Sequence, residues 1–272
     1  MRSLVVGVVL SLATLPACGP EAAAPDAGPI DATAPDAVVI DAVPIDSPDA
    51  PPPPDVHVVI TADNAYSFGY GDVTGVATYI PGTRAVTAGQ IFNCPIGEGP
   101  EAYTVPGADA PDTAYLYVVS WDDLAVTQGV IGQFTRGTGA PVYTGGVEWD
   151  VCATGINLAG SSVGPTQAEV NAQIAICNAG SGAATTTSEG WVNSAGAVTP
   201  GAVGQLAVGE PNDVATGDFP VVCPASSGGI DAAARWMWFN PGGVANPFRS
   251  TGSNTFRAYL IFRLATVDIP IG

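Results

Sequence analysis

The segment from residue 19 to residue 55 constrains the fold of this chain more than any other feature. Its 37 positions hold ten prolines, eight acidic residues and neither a basic nor an aromatic residue. Aspartate recurs every five residues from Asp26 to Asp46, which is the period of neither a helix nor a strand. Because proline removes backbone donors and like charges repel, we expect an extended, disordered stalk, either a spacer or a tail of no required length. The remaining residues, 56–272, are then expected to form a single folded domain.

The residues before the stalk have the pattern of an export signal. Arg2 precedes a 12-residue apolar run at positions 4–15, which is too short to span a bilayer as a mature helix. The run ends in Leu15-Pro16-Ala17-Cys18, which resembles the lipobox of bacterial lipoproteins. This resemblance implies a signal peptide at residues 1–17, a lipid on Cys18 and a stalk over residues 18–55. With Gly19 next, it implies a cell-envelope protein held by its lipid in the outer membrane. An ordinary secretory signal with an incidental cysteine is the alternative.

The other cysteines, Cys94, Cys152, Cys177 and Cys223, fit an exported protein. An even number of cysteines in an oxidising compartment indicates disulfides, and four cysteines allow three connectivities. No CxxC spacing occurs, which argues against a zinc site or a redox pair. We therefore expect two disulfides, with free buried thiols as the alternative.

The composition excludes several classes of function. The chain has no lysine and one histidine, His57, so Schiff-base lysines, phosphate-loop lysines and multi-histidine metal sites are impossible. Residues 56–272 carry 17 acids against six arginines, and such a domain has no basic surface for nucleic acid. What remains is carboxylate chemistry, cation binding, aromatic binding surfaces, or no chemistry.

The pattern of residues 56–272 predicts an all-β fold. Short apolar runs rich in β-branched and aromatic residues are separated by glycine and proline turns, which favours a sandwich. The clearest runs lie at residues 56–60, 115–119, 129–134 and 259–264. Residues 179–234 are rich in glycine, serine, threonine and alanine, and we expect long loops with occasional strands there.

One helix interrupts this pattern. Thr166 and Glu169 have the spacing of a capping box, and Gly180 is placed to end the helix. Val170, Ile174 and Cys177 then share one helical face. We expect Cys177 to join this helix to a strand by a disulfide.

Several segments resemble galactose-binding-like jelly-roll modules of bacteria. Residues 60–66 look like the first core strand of that class, and residues 67–72 stand where it has a glycine-rich hairpin. Residues 115–134, 142–151, 236–239 and 259–264 are similar to its later strands. The resemblance covers about 70 dispersed residues and implies a jelly-roll-like sandwich more than any one function.

Aromatic residues supply the candidate ligand contacts. Tyr66, Phe68 and Tyr70 alternate, as do Trp236 and Trp238, so each set shares one face of a strand. Exposed, such a set stacks sugar rings; buried, it is core. We favour core for both sets, although the glycines that interrupt the tyrosine set also fit an exposed hairpin. The predicted ligand contacts are Tyr66, Tyr70 and Trp121.

The acidic residues offer two further hypotheses. The loop at residues 209–218 contains Glu210, Asp213 and Asp218, and Asp213 with Asp218 is the candidate pair for a structural calcium ion. Solvated surface acids are the alternative. Paired carboxylates could instead hydrolyse glycosides, but the required separation cannot be obtained from sequence. For Arg249, Arg257 and Arg263 we expect internal ion pairs.

Together these patterns predict a lipid-anchored protein that presents a non-catalytic binding or adhesion module at the cell surface. Its expected partners are the membrane, through the lipid, and a carbohydrate. Two alternatives remain open: an envelope component that binds a protein partner, and a glycan-active hydrolase.

Overall fold

The computed structural model describes residues 52–180, 190–213, 217–249 and 257–272. The predicted signal peptide, Cys18 and the stalk up to residue 51 lie outside these ranges. The described residues form two antiparallel sheets packed face to face, with one helix of 13 residues. The prediction of a jelly-roll-like β-sandwich with one inserted helix is therefore confirmed.

The first sheet, sheet A, has six strands. Five of them follow one another across the sheet, and a short sixth strand pairs with the middle one of the five. In spatial order they are β11 (Gln205–Pro211), β12 (Arg235–Asn240), β6 (Gly129–Arg136), β1 (Val56–Asp63) and β4 (Glu101–Val105), with β7 (Val142–Tyr143) on β6.

The second sheet, sheet B, has seven strands. In spatial order they are β10 (Gly196–Ala197), β9 (Val192–Asn193), β8 (Trp149–Asn157), β13 (Ala258–Ala265), β5 (Tyr115–Trp121), β2 (Ala65–Asp72) and β3 (Gly75–Ile80). The four clearest predicted strands lie within β1, β5, β6 and β13.

The chain passes from sheet A to sheet B at Asn64, in the middle of a segment expected to be one strand. β1 ends at Asp63, and β2 begins at Ala65 in the other sheet. The interpretation of residues 60–66 as a single strand is therefore wrong. Residues 67–72 belong to β2, and the hairpin turn follows them at Val73 and Thr74.

The main core lies between the two sheets. Alternate residues of β5 and β13 point into it, among them Leu116, Val118 and Phe262. Trp236 and Trp238 are both buried there, which confirms that this pair is core. The intervening residues of β5 and β13 are also buried, but on the opposite face of sheet B. Burial on both faces explains why these strands are continuous apolar runs rather than alternating ones.

Helix α2 (Gln167–Ala179) covers that outer face of sheet B. Thr166 caps it in a capping box with Glu169, and Gly180 ends it in the left-handed conformation at φ 60°, as predicted. Its buried face packs on β5, β8 and β13 through Val170, Ile174 and Cys177. Within the part of the chain that the structure describes, the remaining short helical segments are α1 (Gly89–Phe92) and three 3-10 turns (Gly107–Asp109, Ala225–Ser227 and Thr266–Asp268). No helix of the described ranges has the length and apolar character needed to cross a membrane.

Two disulfides hold the domain, which confirms that expectation and selects one of the three connectivities. Cys152–Cys177 joins β8 to α2. Cys94–Cys223 joins the segment after α1 to the loop before the 3-10 turn at Ala225–Ser227.

The chain enters the domain three residues earlier than the expected boundary at Val56. The Asp55 carboxylate accepts a hydrogen bond from the Gly107 N–H at 2.8 Å, and the Asp55 carbonyl accepts one from the Gly137 N–H at 3.2 Å. A side chain at Gly107 would collide with the Pro53 carbonyl, which lies against this loop. Residues 53–55 are thus packed against the sandwich rather than being part of a free stalk.

Candidate functional site

The three predicted ligand contacts lie on two opposite faces of sheet B. Tyr66 and Tyr70 belong to the inner face of sheet B, where both pack against the main core. Trp121 lies on the outer face, because its strand partner in β2 is Ala65 rather than Tyr66. Adjacent residues of a strand point to opposite faces, so the structure does not bring these three side chains together.

Trp121 is fully buried and cannot contact a ligand at the surface. Its indole N–H donates to the Ser161 carbonyl at 3.0 Å, beneath the segment that leads into α2. The prediction of Trp121 as a ligand contact is therefore wrong. Each of the five tryptophans of the chain is less than 2% exposed, so none can stack on a sugar ring.

Tyr66 lines a recess of only about 80 Å³. Its hydroxyl lies 3.1 Å from that of Tyr103 and 3.4 Å from the Ile60 carbonyl, to which it donates. Burial, followed by the neighbouring Tyr103 and Glu101, raises the pKa of the Tyr66 hydroxyl well above its usual value. These contacts assign Tyr66 to the packing between the two sheets.

Tyr70 is the predicted contact that lines a cleft large enough for a ligand. The cleft has a volume of about 330 Å³, within the range of roughly 300–1,000 Å³ that is typical of small-molecule sites. It lies between the β2–β3 hairpin and the segment that joins β4 to β5. Tyr70 is partly exposed and packs beside Phe68, with ring centroids 6.5 Å apart.

Polar side chains surround Tyr70. Asp109, Thr78 and Thr113 line the cleft and are exposed, and their side chains form no hydrogen bond within the described residues. Asp72 also lines it, and one of its carboxylate oxygens accepts hydrogen bonds from the N–H and hydroxyl of Thr74. These two hydrogen bonds hold the pKa of Asp72 below its usual value, so Asp72 is an anion at neutral pH. The Tyr70 cleft therefore presents one aromatic ring with hydroxyl and carboxylate groups that are free to bind a ligand.

A larger cleft of about 490 Å³ lies beside edge strand β11, but its acidic side chains have internal partners. Asp218 forms an ion pair with Arg249 at 2.5 Å and accepts a hydrogen bond from the Asn246 amide at 2.6 Å. Glu210 accepts from the Phe219 N–H at 2.5 Å. Phe219 and Phe248, which form its apolar side, are 3% and 7% exposed. The two carboxylates of this cleft are thus engaged in internal contacts.

The calcium hypothesis rested on this part of the chain. Both Asp218 oxygens receive N–H donors, from Arg249 and Asn246, and a cation would have to displace them. Within the described ranges, no group of three or more histidine, cysteine, aspartate or glutamate side chains is arranged to hold a metal ion. The structure therefore does not bring Asp213 and Asp218 together as a metal site, and the ion pair with Arg249 is the physical reason.

The late arginines behave as expected, since each pairs with an internal carboxylate. Arg249 pairs with Asp218, Arg257 with Asp122, and Arg263 with Asp150 at 2.9 Å. Arg263 also lies 3.9 Å from the Trp191 ring centroid, in cation–π geometry.

A third cleft of about 460 Å³ contains functional groups that the sequence analysis did not select. It is lined by Tyr143, Glu148, Arg235 and Asp268, which are far apart in sequence. Glu148 lies in the segment 142–151, which was selected only as a strand, and nothing in the local sequence links it to Asp268, 120 positions later. Only the fold places these side chains together, and we call this site the Tyr143 cleft.

Comparison with known proteins gives no relative for this chain. No protein-family model, no curated protein and no solved structure matches it. The resemblances to lipoproteins and to galactose-binding-like modules therefore remain predictions, and function must be argued from the clefts themselves.

Proposed function

We propose that this protein is an exported, lipid-anchored binding protein whose β-sandwich binds carbohydrate without catalysis. The observation that carries the proposal is the Tyr70 cleft, where an aromatic ring is combined with free hydroxyl and carboxylate groups. A sugar offers an apolar ring face for stacking and hydroxyls for hydrogen bonds, and the cleft supplies a counterpart for each.

The exposure of the acids that line the Tyr70 and Tyr143 clefts supports a non-catalytic role. Glycosidases depend on a carboxyl group that an apolar pocket keeps protonated near neutral pH. Asp72 and Asp109 are exposed, as are Glu148 and Asp268 in the Tyr143 cleft. The hydrolase alternative and the partner-protein alternative remain predictions.

The test is glycan-array binding by residues 52–272, followed by titration calorimetry on any ligand found. We expect Tyr70→Ala to lower affinity by about 10-fold or more, because stacking and exclusion of water are both lost. Tyr70→Phe should retain most of the affinity, since it keeps the ring.

Tyr115→Ala is the matched control, because it removes a partly exposed tyrosine that lines none of the clefts. Absence of glycan binding, with and without calcium, would remove carbohydrate from consideration. Equal losses in Tyr70→Ala and Tyr115→Ala would contradict the assignment to the Tyr70 cleft.

A further inference from the structure

The Tyr143 cleft lies between the ends of the two sheets. Sheet A contributes Tyr143 from β7 and Arg235 from the start of β12. Sheet B contributes Glu148, just before β8, and Asp268, in the 3-10 turn after β13. Two carboxylates from one sheet are thus combined with a tyrosine and an arginine from the other.

The backbone of this cleft is held firmly. The buried Thr144 hydroxyl accepts from the Gly132 N–H at 3.0 Å and donates to the Arg235 carbonyl at 2.8 Å. The Trp149 indole N–H donates to the Tyr143 carbonyl at 3.0 Å. Gly145 has φ 81°, and a Cβ there would lie 2.8 Å from the Arg235 Cβ. The cleft is therefore formed before any ligand arrives, which lowers the entropic cost of binding.

The side chains that line the cleft have unused hydrogen-bonding capacity. Among the described residues, neither Glu148 nor Asp268 has a hydrogen-bond or ion-pair partner for its carboxylate, and the Tyr143 hydroxyl has none. Arg235 donates from Nε to the Gly209 carbonyl at 2.9 Å, and its terminal amino groups remain available. In the cleft beside β11, by contrast, internal partners occupy Asp218 and Glu210.

The electrostatics of the cleft favour a cation. Burial raises the pKa of the Asp268 carboxyl, and the negative charge of Glu148 raises it further. Burial and then Asp231 raise the pKa of the Tyr143 hydroxyl. A positive charge placed between the carboxylates would relieve their repulsion, and the tyrosine ring would attract the same charge through its π face.

We propose that the Tyr143 cleft binds a sugar that carries a free ammonium group. The ammonium would donate to Glu148 and Asp268, the ring hydroxyls would accept from Arg235, and the apolar face of the sugar would lie on Tyr143. This site is separate from the Tyr70 cleft and does not depend on the function proposed for that cleft.

Saturation-transfer NMR with residues 52–272 tests this proposal, with glucosamine and N-acetylglucosamine as the probes. The two sugars differ in whether the nitrogen is charged, so we expect saturation of glucosamine and little of N-acetylglucosamine. Glu148→Gln and Asp268→Asn keep the shape of each side chain and remove its charge. Each should weaken glucosamine binding by about 10-fold or more, since a charge-assisted hydrogen bond is lost.

Glu98→Gln provides the matched control, because it removes the same charge from an exposed site outside the cleft. It should leave glucosamine binding unchanged. Equal saturation of both sugars, no effect of the two cleft variants, or an equal effect of Glu98→Gln would overturn the proposal. Loss of binding in Tyr70→Ala alone would assign the sugar to the other cleft, so the two proposals can fail independently.

Discussion

Asp63 is a buried acid whose surroundings disfavour its charge. It is 5% exposed at the end of β1, and the Thr127 hydroxyl donates to it at 2.5 Å. Burial raises its pKa to about 6, and the nearby Asp123 and Asp122 also raise it, against the lowering effect of Thr127. The protein therefore contains an aspartate that holds its proton more strongly when folded than when unfolded.

This difference predicts a specific pH dependence of stability. Because the folded pKa is raised from 3.8 to about 6, the folded state binds more protons between these values, and stability falls as pH rises through this window. Asp63→Asn removes the titration and keeps an oxygen acceptor for Thr127. Above pH 7 the variant should be more stable than the parent by about 2–3 kcal/mol, and near pH 4 the two should be equal.

Urea unfolding at pH 4, 5, 6 and 7.5 measures this effect. Asp72→Asn is the control, and its effect on stability should have the opposite sign. Because the pKa of Asp72 is lowered in the folded state, its ionised carboxylate stabilises the fold at pH values above the unfolded pKa. A constant difference between Asp63→Asn and the parent at every pH would contradict the titration of Asp63.

At this scale the sequence predicts which residues share a face, but not which faces are buried. The alternation of Tyr66, Phe68 and Tyr70 is real, yet only Tyr70 reaches a cleft of ligand size. Trp121 ends a strand beside two acids, as a surface residue could, but α2 and the segment before it cover that face of sheet B. A second covering layer depends on contacts between distant parts of the chain, and local periodicity carries no information about it.

At the scale of elements, α2 is attached to the sandwich by three kinds of contact. Its apolar face packs on sheet B, Cys177 is bonded to Cys152 of β8, and Asn171 binds the edge of β3. The Asn171 side chain accepts from the Val76 N–H at 2.7 Å and donates to the Val76 carbonyl at 3.1 Å. These bonds satisfy backbone groups of an edge strand that would otherwise be open to pairing with another chain.

The disulfide of α2 predicts a local loss of stability. Cys152–Cys177 closes a loop with a sequence separation of 25, for which chain entropy predicts a contribution of about 3–4 kcal/mol. Replacing both cysteines by alanine should lower the unfolding free energy by roughly that amount. Hydrogen exchange should show the amides of α2 losing protection more than those of β5.

The double alanine variant of Cys94 and Cys223 is the matched control, because that bond lies away from α2. It should destabilise the whole domain, and the amides of α2 should not lose more protection from hydrogen exchange than those of β5. If α2 and β5 lose protection equally in both variants, the helix is not held locally by its disulfide.

The elements also show which structural features can be predicted from local signals in the sequence. Thr166 and Glu169 act within three residues of each other at the start of α2, and the Gly180 N–H donates to the Ile176 carbonyl at its end, so the bounds of α2 follow from local chemistry. The pairing of the cysteines does not, because it depends on which strand lies beneath the helix. Only the expectation that Cys177 binds a strand could be made from the pattern, and β8 provides that strand.

At the scale of the whole molecule, the two ends of the domain meet where the chain enters it. Val56 of β1 pairs with Arg136, which also forms a bridge with Ile271. Arg136 is buried, binds Asp112 at 2.9 Å and donates to the carbonyls of Ala110 and Thr266. The start of the sandwich, its last residues and the loop before β5 are thus joined around one arginine. The sequence identifies Arg136 only as one of six arginines in an acidic domain, because its role arises from long-range contacts.

This arrangement predicts where the stalk can be removed without harm. The spacer hypothesis holds that residues 19–55 contribute nothing to folding, whereas Asp55 makes two hydrogen bonds to the loops at Gly107 and Gly137. A chain that begins at residue 52 should therefore melt within about 1 °C of one that begins at residue 19, as expected for a change with no lost contact. A chain that begins at residue 56 should melt lower by roughly 2–8 °C, because two hydrogen bonds worth about 1 kcal/mol each and the packing of Pro53 are lost.

Differential scanning calorimetry of the three chains makes the comparison, and Asp55→Ala within the longest chain separates lost contacts from a changed terminus. That variant should reproduce part of the decrease in melting temperature, because it loses only the hydrogen bond between the Asp55 carboxylate and the Gly107 N–H. A large decrease on removing residues 19–51 would show that the acidic repeat stabilises the domain and would contradict its role as a spacer. If the chains that begin at residues 52 and 56 melt together, the sandwich begins at Val56 after all, and the contacts of residues 53–55 are energetically neutral.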